Sequence, residues 1–392
     1  MKIIWANRSE WRKPGPIVYI GLLNALSFAQ AGYQSHFFVS EGSPSDSLAD
    51  LSDFYGVENH EKLHIHRIAK GSQLTETLGR SIYRQALNFA RQELEQGEKV
   101  TFLTRELGLI ALLSRLQKRF PDTLRTLYEA HDFHADLSAR DHKIKFTDHR
   151  KRWTERFFLP RLSGVLCITP PQEALYRQAL PKVNTHALPL GCLEHAALSL
   201  QEVETRRKRR TVVYVGHLHR YKGVHDLLEQ ANFFQQHQLE LHLLGGQTTQ
   251  IAKLEKKLRK QQTKLSTAPL PIRFFPAMPP VQLHRHLEKY ASIGIVPLQD
   301  SYYNRALTCP VKALDSLSHH LPVIASDLPT TRAVLADAAI YLPPQDSSHF
   351  SQVAKNLIDD PQHYQELAQN AAIRAAQLAW NKRAQAILDW SW

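Results

Sequence analysis

Short runs of apolar residues alternate along the chain with segments in which apolar residues recur every three or four positions. The runs predict strands, and the recurring segments predict helices. In the N-terminal half the predicted strands lie at residues 3–5, 35–39, 100–103, 123–129 and 164–168, and the predicted helices at 18–32, 82–94 and 109–120. This alternation predicts a parallel sheet covered by helices on both faces.

The same alternation restarts at residue 211. Here the predicted strands lie at residues 211–215, 239–244, 272–275, 293–297 and 322–326, and the predicted helices at 224–234, 251–264, 281–290 and 310–318. Runs such as TVVYV and PVIAS are continuously apolar, which is typical of strands buried on both faces. The chain is therefore predicted to be α/β with two doubly wound halves. Ligands of such sheets bind at the carboxyl ends of the strands.

The composition adds limits on class and compartment. The 392 residues exceed what one compact core normally holds. Three cysteines are too few for a disulfide framework or a zinc site. Neither a signal peptide nor an apolar stretch of membrane-spanning length is present in the sequence, so we expect a cytoplasmic protein.

The net charge of +12 is compatible with nucleic acid, an anionic membrane or phosphorylated small molecules as partners. The densest cluster of cations, residues 206–210, lies directly before a predicted strand. A solvated linker is the favoured interpretation of this cluster. A patch that attracts anionic lipid or a phosphorylated substrate is the alternative.

A loop with the sequence GHLHRYKG, residues 216–223, connects a predicted strand to a predicted helix. Loops in that position present backbone N–H groups and a helix N-terminus to anions. Arg220 and Lys222 add positive charge there, which suits a diphosphate. The alternative is an ordinary surface loop.

A second candidate is the segment TCPVKALD, residues 308–315. Pro310 is predicted to open a helix, and Lys312 and Asp315 would then share one face of it. The carboxylate could accept hydrogen bonds from two ribose hydroxyls, while Lys312 and the helix N-terminus could face phosphates. The alternative is an exposed ion pair.

Together these segments resemble the family 4 glycosyltransferases. Residues 215–223 are similar to that family's VGxLxxxKG block, 243–246 to LxGxG, 295–298 to xxVPL, and 309–329 to SPxKxxExxAxGxPVVASDxP. The resemblance implies the two-domain GT-B architecture, with two Rossmann-like doubly wound domains. It places the N-terminal domain at 1–195, a basic linker at 196–210, the nucleotide-sugar-binding domain at 211–375, and a closing helix at 376–392.

The resemblance also implies the roles of individual residues. The sequence YEAHDF, residues 128–133, resembles a segment whose histidine lies near the transferred sugar, so His131 is a catalytic candidate together with Lys222 and Arg220. The donor-binding candidates are Gly15, Gly216, His217, Gly245, Cys309, Pro310, Lys312 and Asp315. The cations would stabilise the departing diphosphate, so no metal or other cofactor is expected.

Several positions depart from the family pattern. Asp315 stands where the family has glutamate, and Cys309 stands where it has a capping serine. His217 stands where an arginine is frequent, and Leu307 where the pattern has a further acid. Residues 320–321, His-Leu, replace a small glycine. These departures leave nucleotide binding a safer expectation than turnover.

Two further segments carry alternatives. Residues 149–158 mix cations with aromatics, and inward packing of the aromatics is favoured over contact with an anionic membrane. A metal site formed by Glu129, His131, His134 and Asp136 is disfavoured, because these ligands are crowded on one short segment. The remaining histidines, including residues 319–320, are expected at the surface.

The sequence thus predicts a retaining glycosyltransferase that moves a sugar from a nucleoside-diphosphate sugar to a hydroxyl acceptor, either a glycan or a lipid-linked sugar. We expect peripheral contact with the inner membrane face as an option and no nucleic-acid partner. Two alternatives stay open. One is a degenerate GT-B protein that binds without efficient transfer, and the other is a GT-B epimerase or phosphorylase.

Overall fold

The computed structural model describes residues 1–42, 45–69, 80–140, 143–219, 222–262, 271–344 and 349–392. The chain divides into two compact units. Unit 1 comprises Met1–Leu190, Ala306–Thr308 and Trp380–Trp392, and unit 2 comprises Gly191–Arg305 and Cys309–Ala379.

Unit 1 is built on a parallel sheet, which has seven strands within the described residues, in the order β3-β2-β1-β4-β5-β6-β7. The strands are β1 (Lys2–Glu10), β2 (Gln34–Ser40), β3 (Leu63–Ile68), β4 (Val100–Thr104), β5 (Leu124–Ala130), β6 (Gly164–Cys167) and β7 (Thr185–Ala187). The helices are α1 (Pro16–Gln30), α2 (Ser47–Asp50), α3 (Arg80–Glu95), α4 (Ile110–Arg119), α5 (Phe146–Phe158) and α6 (Pro170–Ala179). The middle of β1 is fully buried, which explains its unbroken apolar run.

Unit 2 repeats this design with a parallel sheet of six described strands, in the order β10-β9-β8-β11-β12-β13. The strands are β8 (Thr211–Val215), β9 (Glu240–Gly246), β10 (Ile272–Pro276), β11 (Ile293–Val296), β12 (Val323–Ser326) and β13 (Ala339–Leu342). The helices are α7 (Leu200–Arg207), α8 (Val224–Glu229), α9 (Ala231–Gln236), α10 (Thr248–Gln262), α11 (Pro280–Tyr290), α12 (Val311–Ser318), α13 (Pro329–Leu335), α14 (Phe350–Asp359) and α15 (Pro361–Gln377). The predicted alternation of strands and helices is confirmed in both halves.

The last helix, α16 (Trp380–Ser391), belongs to unit 1. Its Trp390 lies against Gly164 so closely that a side chain at that glycine would overlap the indole ring. The indole N–H of Trp392 donates to the hydroxyl of Thr101 at 2.8 Å. The chain therefore returns to the first sheet after completing the second one.

The basic cluster at residues 206–210 is not a solvated linker, so the favoured interpretation is wrong. Arg206 lies in α7, is buried and donates to the backbone carbonyl of His319. Arg207 and Arg210 form ion pairs with Glu204 and Asp359. Arg206 and Arg210 therefore connect α7 and the start of β8 to other elements of unit 2.

Two further expectations about side-chain burial are wrong. His319 and His320 are buried rather than at the surface. The ring of His319 stacks on His195, and its Nε2 lies 2.9 Å from Nδ1 of His284 in α11. In α5, Trp153 and Phe157 do not pack inward but stay exposed to solvent. Within the described part of the chain, no helix is long and apolar enough to cross a membrane.

Candidate functional site

Two glycines bring the ends of β8 and β9 unusually close together. Val215 pairs with Leu244 in the register of the two strands, and Gly216 and Gly245 follow them. Both have positive φ angles, +129° and +113°, which residues with side chains rarely adopt. A Cβ atom at Gly245 would lie 2.9 Å from the carbonyl oxygen of Gly216. The carboxyl end of the sheet thus presents bare backbone at this point.

Lys312 of α12 reaches this bare backbone. Its Nζ would lie 3.4 Å from a Cβ atom at Gly216, and it lies 3.9 Å from the ring centroid of Tyr214. The Nζ atom is buried and has no hydrogen-bond partner among the described residues. A buried ammonium without a partner is costly, so the position favours an anionic ligand that would supply one.

Burial lowers the pKa of Lys312 well below its ordinary value, and the nearby charge of Lys222 lowers it further, while Asp315 acts in the opposite direction. Burial also lowers the pKa of Lys222, whose Nζ lies 5.6 Å from the ring centroid of Tyr303. Two cations thus share one partly dehydrated region of unit 2. An anion bound there would restore the charged form of both.

Asp315 lies one turn further along α12 and is only 9% exposed. Burial raises its pKa to about 7, although the charge of Lys312 opposes the rise. The structure gives no ion pair between this carboxylate and Lys312, and no hydrogen bond from it to a described residue. The alternative of an exposed ion pair is therefore wrong for these two side chains.

The start of α12 differs slightly from the prediction. The helix begins at Val311, and Pro310 is the capping residue with an extended backbone. Proline has no side-chain acceptor, so the first backbone N–H groups of α12 have no side-chain cap. Cys309 is buried and precedes the cap, so it does not occupy the capping position that the sequence suggested. The uncapped N–H groups remain available to a ligand.

The loop after β8 holds the other donor-binding candidates. His217 is exposed, and burial of part of its ring together with the neighbouring His219 lowers its pKa. Gly223 has a φ angle of +77°, and a Cβ atom there would overlap the carbonyl oxygen of Pro297. Arg220 lies outside the described residues.

His131 follows β5 in unit 1 and takes part in a buried hydrogen-bond network. Its Nε2 lies 2.6 Å from Oε1 of Glu129, whose Oε2 accepts from Arg383 at 2.7 Å. Arg383 also donates to the carbonyl of Pro189 at 2.9 Å and to the side chain of Asn24. Because the carboxylate of Glu129 accepts a hydrogen bond from Nε2, the neutral imidazole carries its proton on Nε2, and Nδ1 is left as an acceptor.

The pKa values of this network follow from its burial. Burial alone would raise the pKa of Glu129, but Arg383 and the hydrogen bond from His131 lower it to about 2. Burial and the charge of Arg105 lower the pKa of His131, against the opposing effect of Glu129. At neutral pH the network is therefore a carboxylate held between a guanidinium and an uncharged imidazole.

Arg383 is the residue that sequence reasoning missed. It lies 254 positions from Glu129, within the closing helix predicted at residues 376–392. A weak signal was available: an acid inside the apolar strand 123–129 needs a buried cation, and α16 offers one.

Gly15 and the four residues of the disfavoured metal site also lie in unit 1. Gly15 immediately precedes α1, has a φ angle of +119° and is exposed, with open space where a Cβ would lie. His134 and Asp136 do not join Glu129 and His131 around a common point. Across the described residues, the structure gathers no group of three His, Cys, Asp or Glu side chains that could hold a metal ion.

Unit 2 thus brings together the backbone of Gly216 and Gly245 with the side chains of Lys222, Lys312 and Asp315. His131 and Gly15 belong to unit 1. Concentrated positive charge, bare backbone and a nearby carboxylate can bind a phosphorylated compound that also carries hydroxyl groups.

Comparisons with known proteins agree with this arrangement. The family model described as "Glycosyl transferases group 1" matches residues 209–360. All four sequence blocks on which the resemblance rests lie within this matched segment. No curated protein matches the chain in sequence.

Solved structures match over nearly the whole chain. A sucrose-phosphate synthase from Thermosynechococcus elongatus is 19% identical with a TM-score of 0.69, and the alignment covers 99% of this chain and 98% of that one. Anabaena HepE in complex with UDP-glucose is 14% identical with a TM-score of 0.64, covering 99% and 98%. An α,α-trehalose-phosphate synthase (UDP-forming) from Burkholderia xenovorans is 11% identical with a TM-score of 0.64, covering 100% of both chains. These likenesses confirm the predicted GT-B fold.

Proposed function

We propose, from the premise that residues 209–360 belong to the group 1 glycosyl transferases, that this protein moves a hexosyl group from a nucleoside-diphosphate sugar to a hydroxyl acceptor. The observation that carries the proposal is the buried Nζ of Lys312, which has no hydrogen-bond partner among the described residues and faces the backbone of Gly216. A diphosphate would supply the missing acceptor and the counter-charge.

The leaving group of this reaction is a nucleoside diphosphate, whose negative charge grows as the glycosidic bond breaks. Lys312 and Lys222 would stabilise that charge, and the uncapped N–H groups at the start of α12 would add hydrogen bonds. Arg220, outside the described residues, would contribute a third cation. Because fixed cations supply the charge, we expect transfer to proceed with EDTA present and without an added divalent metal.

Asp315 would accept hydrogen bonds from the ribose hydroxyls of the donor. Its carboxylate is on the same helix as Lys312, three residues closer to the carboxyl end, so the two side chains share one face of α12. The shorter side chain, compared with the family's glutamate, requires a closer approach of the ribose to α12.

His131 would contact the transferred sugar through Nδ1, since Nε2 is engaged by Glu129. The lowered pKa of His131 favours a neutral hydrogen-bonding group over a general acid at pH 7. This role is consistent with a retaining reaction in which charge stabilisation at the diphosphate dominates. The acceptor hydroxyl belongs to a glycan or a lipid-linked sugar.

The test replaces Lys312 with methionine, which keeps the side-chain length and removes the charge. The solved structures of Anabaena HepE contain UDP and UDP-glucose, so these are the first nucleotides to titrate by calorimetry. Loss of one charge-assisted hydrogen bond weakens binding by about 10- to 100-fold. Lys256→Met, on the exposed side of α10, is the matched control and should bind like the wild type.

Thermal melting separates a binding defect from misfolding. Without ligand, Lys312→Met should melt at the same temperature as the wild type or higher, because it removes a buried unpaired ammonium. At the same ligand concentration, Lys312→Met should gain less stability than the wild type, and Lys256→Met should gain as much as the wild type. Undiminished affinity of Lys312→Met for every nucleoside diphosphate would remove the proposed phosphate site. Nucleotide binding without any transfer to glycan or lipid-linked acceptors would instead favour the degenerate GT-B alternative.

A further inference from the structure

Helix α5 has an unusual distribution of burial. Its buried positions are two acids, Asp148 and Glu155, which are seven residues apart and therefore lie on the same side of the helix. Glu155 accepts from the backbone N–H of His134 and from the hydroxyl of Tyr176, and Asp148 caps the start of the helix. The polar side of this helix therefore faces the protein, which is the reverse of an ordinary surface helix.

The apolar side chains of the same region face solvent. Phe146 is 85% exposed, Trp153 57% and Phe157 42%, and Ile144 just before the helix is also exposed. Trp153 and Phe157 stack with ring centroids 5.0 Å apart and an interplanar angle of 9°. These positions fall on one side of the helix because they are four and seven residues apart. Together they form an exposed apolar strip along one side of the helix.

The segment that carries the strip is rich in positive charge, and the exposed Asp136 lies within electrostatic reach of its Arg152. Residues 143–161 contain seven lysines and arginines, and their two acids are both buried in α5. The cations are Lys143, Lys145, Arg150, Lys151, Arg152, Arg156 and Arg161. None of them forms an ion pair with a described residue. A surface that offers aromatic rings and uncompensated cations to one side is complementary to a layer with anionic head groups above acyl chains.

We propose that residues 143–161 are a docking surface for an anionic lipid membrane, on which α5 lies with Phe146, Trp153 and Phe157 in the head-group region. Interfacial binding uses buried apolar area together with attraction to anionic lipid, and this segment provides both. A protein partner would need to match seven cations along residues 143–161, and a nucleic acid would leave the aliphatic Ile144 without a stacking partner. The surface is distinct from the candidate nucleotide site, so the inference does not depend on the proposed transfer.

The experiment measures co-sedimentation of the full-length protein with vesicles. One set contains equal parts phosphatidylglycerol and phosphatidylcholine, and the other contains phosphatidylcholine alone. The aromatic variant is W153S/F157S, and its control is I373S, which removes an exposed isoleucine from α15. The charge variant is R150Q/R152Q, and its control is K256Q/K257Q on exposed positions of α10.

We expect the wild type and both controls to sediment with the anionic vesicles and not with the neutral ones. Each cation removed near the surface should weaken binding by about fivefold, so R150Q/R152Q should bind roughly 25-fold more weakly. W153S/F157S should lose binding while retaining the melting temperature and nucleotide affinity of the wild type. The emission of Trp153 should also shift to shorter wavelength on vesicles, and the shift should be absent in W153F.

Three results would overturn the inference. The first is a wild-type protein that does not bind anionic vesicles. The second is equal loss of binding in the K256Q/K257Q control and in R150Q/R152Q, which would indicate net charge rather than this surface. The third is tight binding to a single-stranded RNA that W153S/F157S abolishes, with no binding to vesicles, which would assign the surface to nucleic acid.

Discussion

The substitution Arg383→Met tests whether the buried ion pair holds unit 1 together. Arg383 is 3% exposed, and Glu129, Pro189 and Asn24 accept its hydrogen bonds. Methionine approximates the length of the side chain but has no charge and no donors. The variant therefore leaves the carboxylate of Glu129 buried with only the neutral His131 as a partner.

Arg383 offsets the cost of burying Glu129: burial alone would raise the pKa of this carboxyl, and Arg383, together with the hydrogen bond from His131, lowers it from 4.5 to about 2. Removing one member of a buried ion pair typically costs about 3–5 kcal/mol. We therefore expect Arg383→Met to lower the free energy of unfolding of unit 1 by roughly 3 kcal/mol at pH 7.

The sign of the pH dependence follows from the same pKa. A carboxylate whose pKa is lowered by folding contributes stability above its unfolded pKa, and that contribution is lost as the pH falls from about 4.5 towards 2. The difference in stability between wild type and Arg383→Met should therefore shrink over that range, because Glu129 then becomes protonated and its charge no longer needs a partner.

Tryptophan fluorescence during urea unfolding is a suitable assay because all six tryptophans lie in unit 1. They are Trp5, Trp11, Trp153, Trp380, Trp390 and Trp392. Arg119→Met is the control in the same unit: its ion pair with Glu95 is similar in length, 3.0 Å, but both side chains are largely exposed. Its loss should cost at most about 1 kcal/mol.

The result that would refute this reasoning is a loss in Arg383→Met no larger than that in Arg119→Met. The double variant with Glu129→Gln gives a second check. Because it leaves no unpaired buried charge, it should be more stable than Arg383→Met alone. Additive losses in the double variant would show that the two groups are not coupled.

Two further predictions concern His36 and Gly223. Burial, followed by the charges of His64, His66 and Lys2, lowers the pKa of His36 to about 3, so the stability it contributes is present above pH 6.5 and is lost as the pH falls below that value. Urea midpoints of His36→Phe should therefore vary less between pH 7.5 and pH 5 than those of the wild type, and an equal variation would contradict the assignment. Gly223→Ala should destabilise the protein by several kcal/mol, because a Cβ would overlap the carbonyl of Pro297. The control Gly97→Ala, with a similar φ of +86° but open space around the new Cβ, should cost only about 1 kcal/mol of backbone strain. Equal urea midpoints of the two variants by circular dichroism would show that Pro297 moves to accommodate the new methyl group.

The parts of the molecule that were predictable from sequence depend on local spacing. The loop after β8 and the start of α12 are each defined within eight residues, so their position at strand and helix ends could be inferred from a few letters. Strand β3 was not predicted because its sequence LHIHRI places two histidines among its apolar residues. Its histidines are accommodated by His36 of the neighbouring strand, whose Nδ1 lies 3.0 Å from Nε2 of His66.

The pairing of buried charges with partners far away in the sequence was the main feature that could not be predicted. The partner of Glu129 lies in α16, and the partners of the basic cluster at 206–210 lie in several elements of unit 2. His320 shows a similar limit at the level of backbone. It replaces the family's glycine, yet it adopts the left-handed conformation with a φ of +55° that the glycine would allow. Backbone geometry is kept at this position even though the residue type that favours it is absent.

Three arrangements in this protein are unfavourable by ordinary folding rules, and they differ in how they are compensated. Glu129 is a buried charge inside a sheet, and Arg383 compensates it within the chain. Lys312 is a buried cation without a partner among the described residues, and the strip of Phe146, Trp153 and Phe157 is apolar surface left in water. The first is compensated within the chain, whereas no residue that the structure describes compensates the other two. Arrangements that the chain leaves uncompensated are expected where a ligand completes them. An anion at Lys312 and a lipid surface at α5 are the two completions that the charges and the exposed rings favour.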